Sequence, residues 1–153
     1  MYEIDHVAIA VEDLEPAIED FADAAGTDTV WTYASEEWEY RTTYVLAGDD
    51  MLTLIEPTTP ESFIADYLDR RGPGVHHLGV SVEDLEATVM AMTAAGAEVI
   101  MEDIIKGVRE EATVHPKSWY GVQFQFIEWH PDVGSGPRDH VAAMRAAKED
   151  GRL

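Results

Sequence analysis

Ile4 to Val11 alternates in the manner of a half-buried strand: Val7, Ile9 and Val11 face one side, His6, Ala8 and Ala10 the other. At Leu14 the period changes. Leu14, Ala17, Ile18, Phe21, Ala22 and Ala25 recur at helical spacing. Asp13 stands at the cap position, Pro16 falls in the first turn, where a missing N–H is harmless, and Gly26 ends the helix. The apolar stripe of this helix should cover the Val7/Ile9/Val11 face and leave the His6 face to something else. Three short strands follow, about Thr29–Tyr33, Tyr40–Ala47 and Met51–Glu56, with Gly48-Asp49-Asp50 as a turn. Pro57 to Gly74 is a connector. Thr59-Pro60-Glu61 reads as its helix start, and Phe63, Ile64, Tyr67 and Leu68 give that helix an apolar side.

The order then recurs. Val75–Val82 is a strand with Leu78, Val80 and Val82 toward its helix, which carries Leu85, Val89 and Met92 and closes at Gly96. Strands near Ala97–Met101, Arg109–His115 and Gly121–Glu128 complete the second set. Laying His6 on His77 gives six identities in the ten positions from His6 to Glu15. Leu52-Thr53-Leu54-Ile55-Glu56 likewise matches Phe124-Gln125-Phe126-Ile127-Glu128. A chain that repeats near its middle is two copies of one module. The predicted fold is α+β: paired βαβββ modules forming a curved mixed sheet with a shared concave cleft. The modules span residues 1–58 and 75–130, joined by a helix and loop over 59–74. A tail over 131–153 is predicted to be helical from Pro137 to Asp150.

Composition narrows the class. There are 31 acidic against 10 basic residues, a formal net charge of −21, spread along the chain. This reads as a solvated acidic coat of the kind that suits a halophile's cytoplasm. It argues against nucleic-acid binding, which needs basic stripes. Apolar runs are too short for a membrane span, and no signal peptide is expected from the strand-like, acidic N-terminus. The absence of cysteine removes thiolate and disulfide chemistry and fits a cytoplasmic location. The expected partner is a small molecule, with a homodimer allowed.

Strand parity decides which polar groups can meet. Leu52, Leu54, Phe124 and Phe126 are the natural helix-facing set, so Thr53 and Gln125 point the other way, as His6 and His77 do. A pseudo-twofold would bring His6, Thr53, His77 and Gln125 into one cleft. Glu56 and Glu128 have the wrong parity unless a bulge flips them, and His76 has helix-side parity.

These segments carry a resemblance. Asp5-His6-Val7-Ala8, Leu54-Ile55-Glu56-Pro57, Gly74-Val75-His76-His77-Leu78, His115-Pro116-Lys117-Ser118 and Gly121-Val122 resemble the vicinal oxygen chelate superfamily. That superfamily includes glyoxalase I, methylmalonyl-CoA epimerase, extradiol dioxygenases and bleomycin-resistance proteins; the epimerases are the nearest in pattern. The resemblance spans about residues 1–130. It implies one divalent ion (Zn, Co, Ni, Mn or Fe) with ligand positions at His6, Thr53, His77 and Gln125. The epimerases usually have glutamine or glutamate at the position of Thr53 and glutamate at that of Gln125. Their catalytic glutamate would fall near Thr43.

Two imidazoles and a carboxamide oxygen can bind such an ion, though a neutral donor set offsets none of its charge. His6, His77 and Gln125 are the expected ligands, with Thr53 at the fourth position of the metal site. Lys117 could bind an anionic substrate group, and Thr43, Arg109 and His115 are further substrate-side candidates. The catalytic base is unassigned. The expected function is that of an isomerase or lyase of the epimerase/glyoxalase type, working beside a carbonyl through a metal-stabilised enolate, with an acyl-CoA as one candidate substrate. The alternatives are a small-molecule sequestering protein of the bleomycin-resistance type and a non-haem iron dioxygenase.

Overall fold

The computed structural model describes residues 2–153. Its element order is β1 (Glu3–Ala10), α1 (Leu14–Ala25), β2 (Asp28–Ser35), β3 (Tyr40–Ala47), β4 (Asp50–Pro57), α2 (Phe63–Arg71), β5 (Gly74–Ser81), α3 (Leu85–Ala94), β6 (Val99–Ile105), β7 (Arg109–Val114), β8 (Gln123–Trp129) and α4 (Pro137–Glu149). The chain is therefore α+β, with a βαβββ order occurring twice. It divides into two compact units. One is His6–His76; the other is His77–Leu153 together with the N-terminal residues through Asp5.

In the first unit the strands lie in the order β2-β3-β4-β1. β1 and β4 pair in parallel, with Ala8 opposite Thr53, and the remaining pairs are antiparallel. The helical spacing from Leu14 places the apolar side of α1 on one face, where Val11, Leu14, Val45 and Leu54 are buried with Ile9, Ala17, Ile18, Phe21 and Leu52 against them. The opposite face is not bare. Ile64 of α2 packs there on Ala10 and Ile55, with Tyr40, Tyr67 and Leu68 around it. This second helix begins later than Thr59-Pro60-Glu61 suggests. Ser62 is its cap, accepting the Ile64 N–H at 3.3 Å.

The second unit repeats the plan with the order β5-β8-β7-β6, β5 and β8 being parallel. Val80, Val82, Leu85, Ala97, Ala112, Val114 and Phe126 form its core under α3. Here β6 runs on to Ile105, beyond the expected end at Met101. α4 buries His140, Val141, Met144 and Ala147. Each fourth strand is thus followed by a helix. The tail is the counterpart of α2 in chain order, although no sequence match links them.

Candidate functional site

Register confirms the parity argument within each unit. Opposed residues in a ladder share a face. Ala8 opposes Thr53 and Tyr44 opposes Thr53, so His6, Ala8, Thr53 and Tyr44 line one face of the first unit. His77 opposes Gln123, Gly79 opposes Gln125, and Thr113 opposes Gln125. His77 and Gln125 therefore line one face of the second unit. His6 is 7% exposed and Thr53 5%.

Gln125 is held by its neighbours. Its Nε2 donates to Glu111 Oε1 at 2.8 Å, and Arg109 Nη1 lies 2.6 Å from the other oxygen of that carboxylate. Glu111 is only 4% exposed. The Arg109 guanidinium also stands over the Trp129 ring, 5.8 Å from its centroid. Sequence reasoning missed Glu111, since an acid pair in Arg109-Glu110-Glu111 reads as solvated. The signal was the shared parity of Glu111 with Thr113, and only the register with β8 brings it to Gln125. Thr113 Oγ1, facing the same way, is buried without a hydrogen-bond partner. A carboxamide whose nitrogen is already engaged keeps its oxygen for another ligand. Together with a buried hydroxyl lacking a partner, that donor set fits a cation-binding face.

Other candidates stand elsewhere. Thr43 opposes Leu54 and is fully buried on the helix-covered face, with its hydroxyl 2.6 Å from that of Thr32. The expectation that Thr43 lines the substrate side is corrected: one step of strand parity separates it from Tyr44, which shares the Thr53 face. His115 caps the short turn Pro116–Ser118, its Nδ1 accepting the Lys117 N–H at 3.2 Å, and Lys117 itself is exposed.

Glu56 and Glu128 have defined structural roles. The β3–β4 register from Tyr40 to Ala47 runs without a bulge, so Glu56 stays on the helix side. Glu56 Oε2 accepts the N–H of Leu14 at 2.7 Å, and Glu128 Oε2 accepts that of Leu85 at 2.7 Å. Asp13, expected to cap α1, makes no side-chain cap bond. Its carboxylate, with those of Glu15 and Glu56, forms an acidic cluster at the start of α1, bridged by Arg41 to Glu15 at 2.5 Å and to Glu56 at 2.7 Å. The Arg41 hydrogen bond holds the Glu15 carboxyl below the usual range. His76 packs between Phe63 and Tyr67, and burial pushes its imidazole down to about 4.

Residues 5–114 match the family model of the glyoxalase/bleomycin resistance protein/dioxygenase superfamily. The chain belongs to that superfamily. Superfamily relatives include human mitochondrial methylmalonyl-CoA epimerase, 28% identical over 122 residues, covering 78% of this chain and 69% of that protein. Among solved structures, the methylmalonyl-CoA epimerase of Mycobacterium tuberculosis is similar with a TM-score of 0.74 and 30% identity, covering 84% of this chain and 88% of that one. A variant of the Streptomyces coelicolor epimerase, in complex with 2-nitronate-propionyl-CoA, is similar with a TM-score of 0.73 and 26% identity, covering 82% and 96%. These superfamily members are enzymes. Among the described residues no helix is long and apolar enough to cross a membrane.

Proposed function

We propose that this superfamily member is an epimerase- or glyoxalase-type enzyme that moves a proton on the carbon beside a carbonyl, with an acyl-CoA thioester as substrate. The observation that carries the reading is the placement of His77 with Gln125 on one strand face, matched in the other module by His6 with Thr53. The epimerase relatives support the substrate class. His77 and Gln125 of one unit are side chains that would hold a divalent ion, through an imidazole nitrogen and the amide oxygen, and His6 offers the equivalent imidazole in the other unit. Such an ion supplies Lewis acidity beside a bound carbonyl. Arg109 is paired with Glu111 and so serves to order the Gln125 face rather than to receive substrate charge.

Deuterium exchange tests the reading. Incubation with methylmalonyl-CoA and other 2-substituted acyl-CoA esters in D2O, with each divalent metal in turn, should place deuterium beside the thioester carbonyl. His77→Ala should abolish it. No exchange with any ester and any metal would sink the proposal. A second reading, a protein that sequesters a small molecule, is favoured by one feature: neither Thr53 nor Gln125 brings a carboxylate. Ligand binding without exchange would support it, and oxygen uptake would point to the dioxygenase branch.

A further inference from the structure

We infer that Glu111 is a positioning residue that fixes which end of the Gln125 carboxamide is presented for metal binding; the inference rests on the metal-dependent reading above. The two ends of a carboxamide have nearly the same shape, and their neighbours decide which is which. Only the oxygen can ligate a cation, because the nitrogen's lone pair is delocalised into the carbonyl. Left to itself, a glutamine could present either end at little cost.

Glu111 removes that freedom. A carboxylate only accepts hydrogen bonds, so the group 2.8 Å from its Oε1 is the amide nitrogen. The oxygen therefore occupies the other branch. Burial strengthens the preference, because a reversed amide would set two acceptor oxygens against each other in a site where Glu111 is 4% exposed. Arg109, 2.6 Å from the second carboxylate oxygen, holds Glu111 in place. β7 supplies Arg109, Glu111 and Thr113 from alternate positions, and Gln125 lies opposite Thr113 on β8. A carboxylate at position 125 would need no such sorting, because its two oxygens are alike.

The test is a charge exchange. Glu111→Gln keeps the shape but lets residue 111 donate to Gln125, which can then turn its nitrogen toward the site. Glu111→Gln with Gln125→Glu restores a carboxylate ligand and gives it a donor neighbour. Binding of Co²⁺ is followed by its visible absorption and of Zn²⁺ by calorimetry, and the side-chain amide of Gln125 by NMR. Glu111→Gln should weaken binding by at least about tenfold, the scale of losses when a ligand's supporting partner is removed. It should also shift the Gln125 NH₂ resonances, and the double variant should bind at least as tightly as wild type. Unchanged affinity in Glu111→Gln overturns the inference alone. A double variant as weak as Glu111→Gln also overturns it, since Glu111 would then support the fold rather than the amide. If wild type binds neither ion, the metal reading falls and this inference with it.

Discussion

The Glu56 carboxylate accepts the backbone N–H of Leu14 at 2.7 Å, across 42 positions of sequence. Glu128 does the same for Leu85, so the contact is a repeated part of the module. The first N–H groups of a helix have no partner inside it, and a carboxylate there also meets the positive end of the helix dipole. Each fourth strand therefore fixes where its module's helix begins. The two glutamates that sequence parity places away from the histidines are engaged in holding α1 and α3.

Replacing Glu56 with alanine should therefore cost stability rather than metal. The loss of one cap bond is worth about 1–2 kcal/mol, and Arg41 would lose Glu56 and keep its pairing with Glu15. Denaturant unfolding should show this loss, while Co²⁺ affinity stays within about twofold of wild type. His77→Ala should do the reverse. Loss of tight metal binding in Glu56→Ala would mean that Glu56, not Gln125, is the third ligand.

Asp5 predicts a larger effect. Its Oδ2 accepts from Ser81 Oγ at 2.8 Å and Trp129 Nε1 at 2.7 Å, His140 Nδ1 lies 3.1 Å from it, and its side chain is 1% exposed. The His140 and Trp129 rings stack at 3.9 Å. Asp5→Ala would take the acceptor from the part-buried Ser81 and Trp129 donors and the carboxylate from beside the buried His140 ring, at a cost of about 3 kcal/mol. Asp5→Asn keeps one acceptor oxygen and should lose less. Equal stability of Asp5→Ala and wild type would show that the cluster does not anchor α4.

His76 sets a pH dependence whose sign follows from its burial. The ordinary value is 6.5 and the folded value about 4. Between them the unfolded chain takes up a proton that the folded chain refuses, so stability is whole above the upper limit, declines through this window and levels off below it. The effect is at most about 3 kcal/mol. Carboxylates titrate in the same range, so the measurement is the difference in unfolding free energy between wild type and His76→Phe as pH is lowered. Parallel curves would show that the imidazole takes up its proton as readily in the folded chain.

Much of this arrangement is legible in the sequence, because a strand's parity survives in one dimension. His6, Thr53, His77 and Gln125 are placed on their faces by alternation and repetition alone. What alternation cannot show is which distant residue reaches an orphan group. Asp13 has the local signature of a cap, yet Glu56 makes the bond from another strand. Thr43 shows how sharply parity cuts: an alignment uncertain by one residue separates a packed threonine from Tyr44. The β7–β8 register, on which the Glu111–Gln125 bond depends, is likewise a tertiary fact. α4 escapes the repeat because helix packing asks only for apolar residues of suitable size, and these need not match those of α2.

Salt is the condition under which all of these measurements should be made. With 31 acids and 10 bases, 21 acids would lack a base even if every lysine and arginine were paired. Several of the bases are engaged locally, as in Arg70 with Asp66 and Arg145 with Glu149, exposed pairs that contribute little. The remaining carboxylates repel one another, and compaction brings them closer than they are in the unfolded chain. The screening length falls from about 10 Å at 0.1 M salt to about 3 Å at 1 M. Added KCl should therefore raise the thermal midpoint steeply at first and then less so as screening saturates. For a chain of this size each kcal/mol regained is worth about 3 °C, and a total rise of about 10 °C is expected. A steady linear rise would instead indicate salting-out of apolar surface. A midpoint unmoved between low salt and molar KCl would show that the acidic coat does not strain the fold, and the expectation of a halophilic protein would lose its physical basis.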